Sequence, residues 1–329
     1  MNQSAEKSGS LDMKLICLTV SKGILMQLRA KYVVVCNGIS DVNHTFMGRA
    51  VFLNLWHGVP LKKVGYDDDK VKNWDSKGQK IRRMIQEIPL GKEYVVATSD
   101  FYAPIYESAF RRSKRHIITL GQPRNDIFYD QSGKFHASHQ LYKSGQKERK
   151  SSYIRRHTGK KVKWKFPLEE HFDFKVLNDW CIQNDILFVI RRHFYHKDEK
   201  VDFSMYSNIT DITERSMDIQ ELLMDTDILV TDYSSTYIDY LLLDRPVVFY
   251  NFDYQDYLEH DRGMYCDYEK AAPGYKAETF EALMEEFERL VQGDDHFKEV
   301  RRQARDFFYC KEGQGMVGET LLGILKNIK

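Results

Sequence analysis

The segment from Asp227 to Tyr250 constrains the fold more than any other part of the sequence. An apolar run, Ile228–Val230, leads into Thr231-Asp232-Tyr233-Ser234-Ser235, and a helical pattern over Ser235–Leu243 then leads into a second apolar run at Val247–Tyr250. Short apolar runs joined by a helix are typical of a parallel sheet with crossover helices. The segment therefore predicts a strand–loop–helix–strand unit of a two-lobed α/β protein.

The same alternation extends along most of the chain. In the first half we predict strands over Tyr32–Cys36, Val51–Leu55, Tyr94–Ala97 and Ile117–Leu120, and helices over Ile81–Ile88 and from an N-cap at Ser99 to Phe110. In the second half we predict a strand over Ile186–Ile190 and helices over Phe174–Asn184, Ile219–Met224, Glu278–Val291 and Phe297–Phe308.

The length of 329 residues allows two domains, since a single core rarely grows beyond about 300 residues. A polar and basic stretch from Asp130 to Lys165 interrupts the alternation. We therefore predict an N-terminal lobe of residues 1–128 and a C-terminal lobe of residues 129–329.

Charge and cysteine content narrow the class of protein. The formal net charge is only +1, so no global field favours nucleic acid as a partner. The five cysteines are scattered without a CxxC pair, which argues against a zinc site or a disulfide scaffold and fits a reducing cytoplasm. No apolar run approaches the about 20 residues that cross a bilayer, so we expect a soluble or peripheral protein.

Three groups of polar residues follow predicted strands. Thr231, Asp232, Ser234 and Ser235 lie at a strand end, where open α/β sheets bind ligands and a following helix offers free N–H groups to phosphate. The alternative is that Ser234 or Ser235 only caps the helix.

The second group is His57-Gly58-Val59-Pro60-Leu61-Lys62-Lys63, after the strand over Val51–Leu55. Gly58 and Pro60 favour a turn that exposes His57, which can then act as a general base, while Lys62 can hold an anion. A structural histidine is the alternative. The third group is Arg191-Arg192-His193, which can grip phosphate or form a solvated basic loop.

Two further basic sites are less distinctive. Arg124, in the turn Gly121–Asp126, can contact a phosphate, although its residue type and position favour pairing with Asp126. Arg262, which precedes Gly263, is also a candidate substrate contact.

Together these motifs resemble the CDP-glycerol glycerophosphotransferase family, which includes the teichoic acid primases and polymerases. The resemblance is carried, over some 220 residues, by WHGVPLKKVGYD, GQPRNDIF, the strand ending in RRH, and TDILVTDYSSTYIDYLLLDRPVVFYNFDYQDY followed by Arg262-Gly263 and Tyr265. The resemblance implies a GT-B fold, with two Rossmann-like lobes and a cleft between them, in which the C-terminal lobe binds CDP-glycerol and the N-terminal lobe faces the acceptor.

The implied reaction is transfer of glycerol phosphate from CDP-glycerol to an acceptor hydroxyl, with release of CMP, in synthesis of a cell-envelope or capsular polymer. By resemblance His57 is the base, His193 is a second catalytic histidine, and Ser234 and Ser235 bind phosphate. The remaining expected substrate contacts are Gly58, Lys62, Arg124, Arg191, Thr231, Asp232 and Arg262. No dedicated metal site is expected, and Mg²⁺ would enter only with the pyrophosphate.

The implied acceptor is a lipid-linked saccharide or polymer, so the resemblance adds contact with the inner face of the cell membrane to a cytoplasmic location. The basic segments Arg111–His116 and Lys160–Lys165 are candidate contacts, with solvated loops as the alternative.

The chain departs from the family pattern in three places. The N-terminal lobe looks short of strands, which would expose a sheet edge. Ser151–Lys165 stands where the family has an apolar strand ending in Pro-Thr-x-Arg, and it reads as neither. Codons permitted for residues 152–165, read two bases later, encode Leu-His-Thr-Pro-Thr-His-Arg, so we hypothesise a shifted reading frame and the loss of an interior strand. The segment Lys311–Gly318 lacks the family's serine and arginine.

Two rival functions remain open on the sequence alone. One is a transferase of the same fold that uses CDP-ribitol or a nucleotide sugar. The other is a catalytically impaired nucleotide-binding remnant, suggested by the short N-terminal lobe and by residues 151–165.

Overall fold

The fold is known from a computed structural model. It describes residues 21–43, 46, 50–68, 92–132, 150–155, 170–192, 201–215, 217–252, 263–311 and 314–328. The predicted helix over Ile81–Ile88 and the basic segment Lys160–Lys165 lie outside these residues.

The first sheet has four parallel strands in the order β1-β2-β3-β4. They are β1 (Tyr32–Val35), β2 (Val51–Asn54), β3 (Lys92–Ala97) and β4 (Ile117–Thr119), each within two residues of the predicted bounds. All four side chains of β2 are buried, because a central parallel strand is covered on both faces.

The second sheet has six parallel strands in the order β10-β9-β8-β5-β6-β7. They are β5 (Lys150–Arg155), β6 (Ile186–Ile190), β7 (Ile209–Asp211), β8 (Ile228–Thr231), β9 (Val247–Tyr250) and β10 (Tyr275–Ala277). The apolar runs predicted as β6 and β9 match the observed strands end to end.

Nine α-helices lie among the described residues. They are α1 (Ser21–Arg29), α2 (Tyr102–Phe110), α3 (Phe174–Gln183), α4 (Ile219–Met224), α5 (Thr236–Tyr240), α6 (Tyr268–Ala271), α7 (Phe280–Val291), α8 (Lys298–Phe308) and α9 (Val317–Asn327). None of these helices combines the length and the apolar character that crossing a bilayer requires.

Two helix predictions need correction. The carbonyl of Ser99 accepts N–H bonds from Tyr102 and Ala103, but the N-cap is Phe101 and not Ser99, so α2 begins two residues later than predicted. The helix predicted over Ser235–Leu243 is the five-residue α5 followed by a 3₁₀ turn at Leu241–Leu243.

The prediction that an interior strand is missing is wrong. Strand β5 lies between β6 and β8 and pairs with both through its backbone. Its sequence lacks an apolar run, so pattern alone did not indicate a strand; its two neighbours supply the backbone partners. Residues 156–165 lie outside the described part, and the shifted reading frame stays a prediction.

The two sheets share one core. Val95 and Ala97 of β3 and Tyr102 of α2 belong to the same buried cluster as Leu229 of β8 and Val247 of β9. The other face of the first sheet is covered by α9, whose Val317, Leu321 and Leu325 pack on Val51, Leu53 and Val96. The division into lobes at residues 128 and 129 stays a prediction, because α9 returns to the first sheet.

Strand β1 is the edge of the first sheet within the described residues. Its Val34 is 53% exposed, and Leu25 and Met26 of α1 are similarly exposed. Residues 1–20 are outside the described part, so the expected open edge stays a prediction.

Candidate functional site

A cavity lies between the two sheets, beside the loops that follow β2 and β8. It has a volume of about 460 Å³. Six residues predicted for the site line it: His57, Gly58, Lys62, Arg124, Ser234 and Ser235. Loops at the carboxyl ends of strands from two sheets therefore meet in one place, as ligand-binding α/β proteins require.

The loop that carries His57 is built by a side chain of β2. Asn54, which is buried, accepts the N–H of Trp56 through Oδ1 at 2.9 Å. Trp56 has a φ of 56°, a left-handed conformation that costs a non-glycine residue free energy and often marks a functional site. Its ring lies 4.3 Å from the His57 ring and contacts Phe110 edge to face, so the imidazole is held against an aromatic wall.

The surroundings of His57 favour a neutral imidazole. Its Nδ1 lies 3.4 Å from the carbonyl oxygen of Cys36, an acceptor that favours a proton on Nδ1 and leaves Nε2 as the base. Reduced hydration lowers the pKa of His57 below its usual value, and the cation of Arg124 lowers it further. The Cys36 carbonyl and the Asp41 carboxylate act in the opposite direction without reversing the shift.

The two serines of the loop after β8 make different contacts. Asp232 accepts the N–H of Ser234 at 3.1 Å and so shapes the turn. Ser234 is buried, and its Oγ shares a hydrogen bond with Thr236 Oγ1 and accepts the N–H of Thr236. Ser235 lines the cavity and, at 3.7 Å, faces the position that a Cβ on Gly58 would take. Ser234 lines the cavity as well, but its hydroxyl is bonded to Thr236, which leaves Ser235 as the better placed hydroxyl for a ligand.

Thr231 and Asp232 are placed differently from the cavity residues. Both are buried at the end of β8 and neither lines the cavity. Their predicted contact with substrate stays a prediction, and the observed contribution of Asp232 is to the turn.

Arg124 does not pair with Asp126, which corrects the pairing favoured on residue types. Its Nη2 donates to Oδ2 of Asp239 at 2.6 Å, and its Nη1 donates to the His57 carbonyl at 2.7 Å. Asp126 instead accepts the N–H groups of Val317 and Gly318 at the start of α9. A distant carboxylate that is buried outcompetes a near one that a helix N-terminus already satisfies.

The two arginines after β6 also make different contacts. Arg192 pairs with Asp211 at 2.6 Å, so it is committed to the sheet edge and not to a ligand. Arg191 Nη1 is buried without a hydrogen-bond partner among the described residues. Strand β5 separates β6 from β8, which sets Arg191 roughly 10 Å from the serine loop, at about 4.8 Å per strand. His193 and Arg262 lie outside the described residues.

A short antiparallel contact holds the segment Leu61–Lys63, of which Leu61 and Lys62 line the cavity. Lys62 bridges to Met264, Lys63 donates its N–H to the Gly263 carbonyl at 2.8 Å, and Tyr265 donates its N–H to the Leu61 carbonyl at 2.9 Å. This contact, Leu61–Lys63 with Gly263–Tyr265, fixes the backbone that carries the Lys62 side chain.

Sequence reasoning missed several residues of the cavity, among them Trp56, Gln220, Tyr233 and Asp239. Asp239 had one available signal, because it lies one helical turn after Ser235 and so on the same side of the helix. Within the described residues, no group of three or more His, Cys, Asp or Glu is arranged to hold a metal ion.

A comparison with protein families identifies one match along nearly the whole chain. The family described as CDP-glycerol:poly(glycerophosphate) glycerophosphotransferase matches residues 3–321.

Characterised relatives act in teichoic acid synthesis. The chain is 28% identical over 290 residues to the teichoic acid glycerol-phosphate transferase of Staphylococcus aureus (strain NCTC 8325 / PS 47), covering 80% of this chain and 67% of the relative. It is 27% identical over 277 residues to the teichoic acid ribitol-phosphate polymerase TarL of the same strain, covering 75% and 44%.

Among solved structures, the wall teichoic acid polymerase TagF superposes with a TM-score of 0.71 at 23% identity, covering 85% of this chain and 70% of that chain. At this identity the likeness speaks for the fold, which is of the GT-B type with two α/β lobes around a cleft.

Proposed function

Because the chain belongs to the CDP-glycerol:poly(glycerophosphate) glycerophosphotransferase family, we propose that it transfers glycerol phosphate from CDP-glycerol to a hydroxyl of a teichoic-acid-type acceptor. The observation that best supports this is the meeting of His57 and Ser235, from different sheets, in one cavity. A base and a phosphate-binding hydroxyl at such a junction are what phosphoryl transfer from a nucleotide requires.

The proposed step needs one proton transfer and one displacement at phosphorus. The acceptor hydroxyl attacks the phosphorus that bears glycerol, and His57 Nε2 removes its proton as the new P–O bond forms. The bond from that phosphorus to the bridging oxygen breaks, and CMP leaves with the electron pair. A neutral His57 suits this task, since only the unprotonated ring can accept the proton.

The cations and hydroxyls of the cavity stabilise the charge that develops. Ser235 donates to a phosphoryl oxygen, and Lys62 and the remaining N–H groups of Arg124 face the same cavity. Arg191 contributes from the next part of the sheet edge. His193 and Arg262 complete the proposed site by resemblance.

The acceptor is proposed to be a lipid-linked saccharide or polymer, which would bring the protein to the inner face of the cell membrane. Liposome co-sedimentation tests this location. Binding only in the presence of the acceptor lipid supports it, and equal recovery with and without liposomes contradicts it.

Release of CMP from CDP-glycerol, with and without a lipid-linked acceptor, tests the function. We expect His57→Ala to lower turnover by about 10²–10⁴-fold, the usual contribution of a general base. His296→Ala is the matched control, because His296 is exposed and paired with Asp294 away from the cavity. Wild-type turnover in His57→Ala would refute the mechanism.

The same assay separates the second candidate function, which the similarity to a ribitol-phosphate polymerase favours. CMP release from CDP-ribitol at a higher kcat/KM than from CDP-glycerol would replace glycerol by ribitol as the transferred unit. Calorimetric binding of CDP-glycerol without any turnover would instead identify a nucleotide-binding remnant.

A further inference from the structure

Asp239 is the one carboxylate among the described residues that line the cavity. It lines the cavity wall yet is only 3% exposed. Its Oδ2 accepts from Arg124 Nη2 at 2.6 Å and Gln220 Nε2 at 3.2 Å, and its Oδ1 accepts from Asn125 Nδ2 at 3.0 Å and Tyr309 Oη at 2.5 Å. A buried carboxylate with donors on both oxygens is held in one orientation.

The position of Asp239 joins the two halves of the site. It lies on α5, one turn after Ser235, so its backbone moves with the serine loop. Through Arg124 it reaches the His57 carbonyl, because the same guanidinium donates to Asp239 and to His57. Two hydrogen bonds therefore connect α5, the helix that follows Ser235, to the backbone of His57.

We propose that Asp239 is a positioning residue that holds Arg124, and through it the His57 loop, in register with Ser235. This inference rests on the proposed function, in which His57 is the base. Asp239 acts through Arg124 and does not itself touch the reacting atoms. Gly58 leaves the room this arrangement needs, since a Cβ there would lie 3.2 Å from Arg124 Nη2.

The charges of Asp239 and Arg124 are consistent with this positioning role. Burial opposes the charged guanidinium, but the Asp239 carboxylate more than offsets this and raises the pKa of Arg124 above its usual value. The charged groups that face His57 are Asp41 on the loop after β1, Arg124 on the turn at Pro123–Tyr129, and Lys62 across the cavity. Of these, Arg124 is the cation that lowers the pKa of His57.

The first test is Asp239→Asn, which keeps the size of the side chain. Either orientation of the amide turns an N–H toward donor groups, so the grip on Arg124 is weakened. We expect kcat to fall at least 10-fold and about 10²-fold if the base shifts by 1 Å. Asp244→Asn, which changes an exposed Asp–Arg pair away from the cavity, is the matched control and should retain wild-type turnover.

The pH profile separates a positioning role from a direct one. If Asp239 acts by holding Arg124 beside His57, the Asp239→Asn substitution releases the Arg124 cation from this position. The pKa of His57 then rises, so the acidic limb of the kcat profile moves to higher pH. Arg124→Gln should move the limb in the same direction. A direct effect of the Asp239 charge on His57 would move the limb of Asp239→Asn to lower pH, and that result, or an unmoved limb, overturns the proposal.

The double variant Asp239→Asn/Arg124→Gln completes the cycle. Because both residues act in one path, its kcat and its acidic limb should equal those of Arg124→Gln alone. Additive losses would overturn the proposal. If Asp239→Asn alone does not fold, the double variant, which leaves no unpaired buried charge, still supplies this comparison.

The outcome for the proposed function is read separately. Unchanged turnover in His57→Ala refutes the proposed mechanism whatever Asp239 does. Inactive His57→Ala together with fully active Asp239→Asn refutes only the role of Asp239.

Discussion

At the scale of single residues, neighbouring side chains of similar type have different tasks. Ser234 and Ser235 both line the cavity, but Ser234 is buried and its hydroxyl is bonded to Thr236. Arg192 is paired with Asp211, whereas the adjacent Arg191 has a buried Nη1 with no partner among the described residues. Sequence patterns place such residues at the right strand end, but they do not show which of two neighbours turns toward a ligand, because that depends on contacts made far along the chain.

Ser235→Ala tests this division. Loss of one hydrogen bond to a charged phosphoryl oxygen removes about 1.5 kcal/mol, so the Kd for CDP-glycerol should rise about 10-fold. Isothermal titration calorimetry measures the change. Ser132→Ala, on an exposed turn away from the cavity, should bind CDP-glycerol as the wild type does, and an equal Kd for Ser235→Ala would remove Ser235 from the donor site.

At the scale of elements, apolar runs predicted most strands because parallel strands are buried on both faces. Strand β5 was not predicted in this way, because its sequence has no apolar run and its place is set by backbone pairing with β6 and β8. The local pairing of Arg124 with Asp126 failed for a related reason. The start of α9, nearly 200 residues later, occupies Asp126, and sequence proximity carries no information about that helix.

Asp126→Ala tests the docking of α9. The two N–H groups that Asp126 accepts would lose their cap, which typically costs about 1 kcal/mol of the free energy of unfolding. Urea denaturation followed by circular dichroism measures it. Asp306→Ala, which removes a solvent-exposed carboxylate paired with Arg305, is the control and should change stability by less than about 0.5 kcal/mol. Equal stabilities of the two variants would contradict the capping role.

At the scale of the whole molecule, the two-lobed α/β class followed from the sequence, but the sharing of one core did not. The cluster that contains Val95 and Tyr102 also contains Leu229 and Val247, so the sheets are not independent. The polar stretch from Asp130 to Lys165 suggested a boundary in the chain, whereas burial joins side chains from both sides of it.

Cooperative unfolding follows from the shared core. Separating the sheets would expose apolar side chains of both, so we expect a single transition in urea. Trp56 lies beside the first sheet and Trp180 packs beside the second. The urea midpoints from far-ultraviolet circular dichroism and from tryptophan fluorescence should therefore coincide. Two separated transitions would show that the sheets unfold independently.

Binding of CDP-glycerol should stabilise the folded protein. At about 100 times its Kd, CDP-glycerol should raise the free energy of unfolding, measured by the same urea titration, by about 2.7 kcal/mol.

The packing of α9 on the first sheet has a consequence for synthesis on the ribosome. One face of β2 and β3 is covered by Val317, Leu321 and Leu325 of α9, which comes much later in the chain. The opposite face packs on Tyr102 of α2, which follows β3 directly, and on Leu229 and Val247 of the second sheet. The face that α9 covers therefore leaves the exit tunnel long before its cover exists. A nascent chain with an uncovered apolar face is prone to aggregate, so during translation this protein should depend on holding chaperones until α9 has emerged.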